Sequence, residues 1–162
     1  MKVLNTYLII ILFTLIGEFL IQSLARSLNI KALSSALPSE FTGYYDQEKY
    51  LESQAYTKAN GRLGMVSSTF SIVVVVSFIL LGGFNHVDLW ARGFGLGELS
   101  TGLIFFGVLF VLSDLFSLPF SLYGTFSIEE RFGFNKMSIA TYFTDKLKSY
   151  LLVGVFGAPL LG

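Results

Sequence analysis

The side chains able to do chemistry in this sequence are few, and many crowd into one stretch. From Tyr123 to Ser138 it reads YGTFSIEERFGFNKMS, so Glu129, Glu130, Arg131 and Lys136 fall within a short interval, with aromatic residues between them. Two further carboxylates, Glu18 and Asp114, sit inside long apolar runs. An ionisable group in a bilayer interior costs several kcal/mol, so such residues usually face a cavity or a partner, and a functional role is their default reading. Glu18 falls in the final third of its run and is compatible with a helix end. Asp114 is more central and is followed by Pro119, a pair that suggests a helix opened towards a polar interior. Metal chemistry is poorly served. The sequence has no cysteine and a single histidine, His86, so a multi-histidine zinc site cannot be assembled from these residues alone. GFGLGELSTG has closely spaced glycines but precedes an apolar run instead of following a strand. It therefore reads as an external turn, not as a dinucleotide loop.

The elements that must hold these residues follow from composition. Of 162 residues, 53% are hydrophobic and only 14% are charged, against about 25% charged in soluble domains. There is too little polar material to cover a water-exposed surface. The net charge is zero, and no basic patch interleaved with stacking aromatics points to nucleic acid. The expected fold is all-α and polytopic in a membrane. Three full spans are predicted at about 3–24, 63–84 and 99–123, with a fourth, partial span at 150–162. A bilayer core takes about 20 helical residues to cross, and the backbone must satisfy itself there, which makes even the β-branched run SIVVVVSFILL a helix. The fourth run has 13 residues, a rise of about 20 Å, which predicts a helix cut short. The first run also resembles a signal peptide, with Lys2 before it and Ser23-Leu24-Ala25 as a small-residue site. Its apolar stretch, however, exceeds a signal core of about 7–15 residues.

Two long loops, 26–62 and 124–149, lie on one side and hold nine of the eleven Lys and Arg residues. The positive-inside rule places them in the cytoplasm and the N-terminus outside. Within the first loop, Asp46 is positioned to cap an interfacial helix whose first turn carries Glu48. Asp46 and Lys49 are close enough to interact on its face. Tyr44, Tyr45, Tyr50 and Tyr56 suit a membrane interface.

Two strings carry a family resemblance: LPSEFTGYYDQEKY, which contains Glu40 and Asp46, and LPFSLYGTFSIEERFGFNKMS. With GGFNHVDLW, GLIFF, DKLKSYLL and GAPLL they resemble, in order, the N-terminal membrane region of the type I CaaX prenyl proteases, over about three quarters of the chain. The resemblance implies a polytopic zinc metalloprotease whose further spans enclose a water-filled chamber. In that family an HExxH helix and a later glutamate hold the metal, two histidines four apart gripping it from one helical face while the Glu serves as base. It also implies prenylated or membrane-protein substrates. None of the catalytic pattern maps onto this sequence, and Glu129-Glu130 lacks flanking histidines.

The reading is therefore an N-terminal transmembrane domain that shapes the chamber, holds no zinc itself, and works with a zinc-binding C-terminal half from the same gene or a separate chain. The residues expected to matter are Glu129, Glu130, Asn135, Lys136, Asp114, Glu40 and Asp46. The stretch 126–136 is expected to form a structured corner, with Phe126, Phe132 and Phe134 packed on neighbouring helices and Gly133 and Asn135 turning the chain. The alternative is an independent, non-enzymatic membrane scaffold or regulator.

Overall fold

A computed structural model describes residues 5–33, 37, 43, 44 and 46–161. Helix α1, Thr6–Ala32, opens at Asn5, whose side chain accepts the Leu8 N–H at 2.8 Å. That bond satisfies one of the orphan donors of the first turn. Helix α2, Gln47–Leu80, opens at Asp46, whose carboxylate accepts the Glu48 N–H at 2.8 Å. The Asp46 cap is as expected. The interfacial helix and the second span are not separate elements, however, because α2 runs through both as one helix of 34 residues. Its only breakers, Gly61 and Gly64, each weaken a helix by about 1 kcal/mol, too little to interrupt it. At 1.5 Å per residue it is about 51 Å long, well beyond a hydrocarbon core of about 30 Å. Its polar first half therefore continues the span outside the apolar layer.

Gly82 ends α2 in the left-handed region at φ 72°, where a side chain would be strained. Helix α3, Gly83–Arg92, follows at once and takes in GFNHVDLW. A Cβ on Gly83 would run into the Phe78 ring, which packs edge-on against Phe84 at 4.9 Å. After a glycine-rich link with Gly95 at φ 66°, helix α4 runs Glu98–Tyr123. Pro119 lies inside α4 without ending it, although its ring leaves the carbonyl four residues back without an N–H partner. The helical path then widens into a π-helical segment, Gly124–Glu129. Helix α5, Ile139–Leu161, completes the described structure. The fourth apolar run is thus the later part of a longer helix. Its 23 residues rise about 34 Å, but the first half carries Asp145, Lys146 and Lys148.

Much of what sequence patterning assigned to loops is helical: 26–32 belongs to α1, 47–62 to α2, 124–129 to the π segment and 139–149 to α5. Among the described residues, three helical stretches are long and apolar enough to cross a membrane: α1, α2, and α4 with the π segment, Glu98–Glu129. Helix α2 is the hub, touching α1, α3, α4 and the π segment, while α5 rests on α4. Among the described residues only Gly82, Ala91, Thr101 and Ile128 are buried, and large apolar side chains such as Phe13 stand 79% exposed. Such a surface would be untenable in water, whereas lipid solvates it. The protein is an integral membrane protein.

Candidate functional site

The corner between α4 and α5 is built by local chemistry. An extra residue per turn in the π segment leaves Ile128 buried at 6% exposure; π turns of this kind are frequent at functional positions. The chain then reverses at Gly133, φ 73°. The Glu129 carbonyl accepts the N–H groups of Phe134 at 2.8 Å and Asn135 at 3.2 Å, and the Glu130 carbonyl accepts that of Gly133 at 3.1 Å. Asn135 keeps an ordinary backbone and turns the chain through its side chain. Its Oδ1 accepts the Met137 N–H at 2.7 Å, the habit of an Asx turn. Ser138 Oγ then accepts the Thr141 N–H at 3.1 Å and caps α5.

Aromatic rings tie this corner to two helices. Phe132 and Phe134 meet Tyr56 of α2 at ring-centre distances of 5.4 and 4.8 Å, and Phe126 meets Tyr142 of α5 at 5.7 Å. Such tilted and edge-on contacts each add about 0.5–1.5 kcal/mol beyond the area they bury. Glu129, Asn135 and Lys136 line one cleft of about 520 Å³, which Thr125, Thr141 and Tyr142 help to close. Among the described residues, no ion pair involves Glu129, Glu130, Arg131 or Lys136. The Arg131 guanidinium instead lies 5.6 Å from the Phe132 ring centre.

Asp114 belongs to a different place. It lies near the middle of the 98–129 helical run, and α5 supplies partners to both its carboxylate oxygens. Lys146 Nζ is 2.7 Å from Oδ1, and the Tyr150 hydroxyl donates to Oδ2. Lys146 also lies 5.5 Å from the centre of the Tyr142 ring, so the cation touches both a carboxylate and an aromatic face. Glu18, the other carboxylate inside an apolar run, accepts a hydrogen bond from Gln22 Nε2 at 2.9 Å. Both face an open cleft of about 480 Å³ between α1 and α2 that also exposes Arg26, Ser67 and Ser71.

Of the residues selected from sequence, then, Glu129, Asn135 and Lys136 come together, and Glu130 joins them through its backbone. Asp114 stands apart in the α4–α5 seam. Asp46 acts as a helix cap, and the helix it starts delivers Tyr56 to the corner. Glu40 lies outside the described residues. Sequence reasoning passed over Tyr142, Lys146 and Tyr150 as a set. Their spacing of four residues puts them on one helical face, a signal obscured by the assignment of 124–149 to a loop. His86 donates from Nδ1 to the Gly82 carbonyl at 2.8 Å. Among the described residues no three His, Cys, Asp or Glu side chains are grouped as a metal ion would require. These donors do not fit zinc.

Residues 26–162 match a family model described as CAAX prenyl protease N-terminal, five membrane helices. The chain is 29% identical over 159 residues to CAAX prenyl protease 1 of Saccharomyces cerevisiae, an alignment that covers 90% of this chain and 35% of the yeast protein. With the CAAX prenyl protease 1 homolog of Homo sapiens it shares 28% identity over 144 residues, 83% of this chain and 30% of the human protein. A crystal structure of Ste24p from S. mikatae superposes with a TM-score of 0.88 at 28% identity, covering 97% of this chain and 38% of that one. The chain spans about a third of the length of the curated relatives it matches.

Proposed function

Because the chain belongs to the CAAX prenyl protease N-terminal family, we propose that it serves as the membrane wall and brace of a prenyl-protein endopeptidase whose zinc-bearing part is supplied by further sequence. In this reading the helices shape an intramembrane space. The corner at 124–138 is the surface that seats the catalytic part, and the reaction is proteolytic processing of a CAAX-box prenylated protein or of a membrane protein. Zinc and its activated water come from the other part, in the same polypeptide or a separate one. The long polar segments face the cytoplasm and the N-terminus faces outside, as the distribution of Lys and Arg favours.

The observation that supports the seat is the corner itself. It is ordered by backbone hydrogen bonds and by rings from two helices, yet Glu129, Asn135 and Lys136 present polar groups to an open cleft. A purely solvated loop would not need Tyr56, Phe132 and Phe134 to fix its shape. The likeness to the protease family favours this reading over an independent scaffold.

A chimaera tests it. The chain is joined to the remaining two thirds of the yeast relative, and cleavage of a prenylated CAAX peptide is followed in membranes. The chimaera is expected to cleave, and the chain alone is expected neither to cleave nor to bind stoichiometric zinc. Asn135→Ala in the chimaera removes the bond that holds Met137 and lowers turnover on the order of tenfold, the rate equivalent of a hydrogen bond of about 1 kcal/mol or somewhat more. Full turnover with Asn135→Ala would remove the corner from the account, and peptide cleavage by the chain alone would remove the division of labour.

A further inference from the structure

Helix α5 poses a physical problem. It packs along α4, a helix long and apolar enough to cross a bilayer, yet it brings charge to that contact. Three charges, Asp145, Lys146 and Lys148, stand in its first half. They are not equivalent. Asp145 and Lys148 pair with each other across one turn at 3.2 Å, with side chains 51% and 67% exposed. Lys146 turns the other way, with its side chain 19% exposed, and meets Asp114 of α4.

The contacts on either side of Lys146 repeat this pairing. Tyr142, Lys146 and Tyr150 are four residues apart and share one face. Opposite them on α4, in antiparallel order, lie Ser121, Asp114 and Phe110. The Tyr142 hydroxyl donates to Ser121 Oγ at 2.7 Å, and Phe110 packs edge-on against the Tyr150 ring at 5.6 Å. The side of α5 that meets α4 is thus its polar side. Leu151, Leu152, Val155 and Phe156 point outward and are exposed.

We infer that α5 enters the membrane as the obligate partner of α4, and that Asp114 is the receptor that makes this possible. Asp114 neutralises Lys146 and takes the Tyr150 hydroxyl, so the one inward cation of α5 and the one carboxylate of the α4 interior cross together. Without Asp114, Lys146 is an unmatched charge at membrane depth, and α5 leaves the apolar layer to hydrate it. Without Lys146 the demand on Asp114 disappears from α5, which then has one charge fewer and inserts without its partner.

The sequence lacks cysteine, so Val155→Cys places a single reporter on the apolar side of α5. The 162-residue chain is prepared in open membrane fragments and labelled with a charged, water-soluble maleimide. Val155→Cys alone is expected to label slowly. Adding Asp114→Ala raises the rate on the order of tenfold or more, and adding Lys146→Met to that pair of changes restores slow labelling. Fast labelling of Val155→Cys alone would overturn the inference, because α5 would then lie in water. Slow labelling with Asp114→Ala would overturn it too, as would fast labelling that Lys146→Met fails to reverse, which marks general misfolding and not an unmatched charge.

Discussion

The seam between α1 and α2 and the seam between α4 and α5 bring apolar helices together by different means. In the first, side chains are removed. Gly61 and Gly64 make room for side chains of α1: a Cβ on Gly61 would lie 2.8 Å from Ile30 Cδ1, and one on Gly64 would collide with the Arg26 guanidinium. Close approach through small residues is the usual basis of helix association in lipid, where no hydrophobic force distinguishes protein from solvent. The second seam uses side chains instead: an ion pair, a phenol on the same carboxylate, and rings above and below. Dispersion spread over many atoms survives small losses. An ion pair concentrates its contribution, and removing one partner leaves the other charged and ill-solvated. The first seam should therefore fail gradually and the second abruptly.

Thermal unfolding in detergent, followed by the fluorescence of the single Trp90, checks this contrast. Asp114→Ala should have the largest effect, a loss of about 2–3 kcal/mol as the Lys146 ammonium is left unmatched. A smaller loss than that of the next variant would reverse the comparison. Gly61→Leu comes second, at about 1–3 kcal/mol, because the added atoms must displace Ile30 from a close helix contact. An unchanged midpoint there would mean that α1 and α2 are held by something other than proximity. Lys148→Ala comes last, with no measurable shift. It shares a helix and a charge with Lys146, but its pair with Asp145 is local and largely wet. A shift with Lys148→Ala comparable to that of Asp114→Ala would show that net charge on α5 matters and its direction does not.

How far the sequence could be read depended on whether an instruction concerned its own helix or another one. Asp46 could be recognised as a cap because the N–H it accepts is two residues away. The corner could be recognised as a turn through Gly133, because a glycine's backbone freedom is its own property. The continuity of α2 was not legible. Its polar first half and apolar second half look like two elements, and only packing shows that Gly61 and Gly64 serve the neighbouring helix without interrupting their own. The start of α5 at Ile139 was hidden too, because charged residues in a membrane helix look like a loop until a partner for them is known.

The sequence alone determined that the chain is a set of membrane helices. Apolar runs of this length cannot remain in water, and a backbone in lipid must satisfy its own hydrogen bonds within a helix. Tertiary structure decided which polar groups meet. Asp114 and Lys146 are 32 positions apart in sequence, and Tyr56 lies far from Phe132. Such pairs form only once each helix has adopted one rotation and one crossing against its neighbour, and helical periodicity specifies a face without saying what that face will touch.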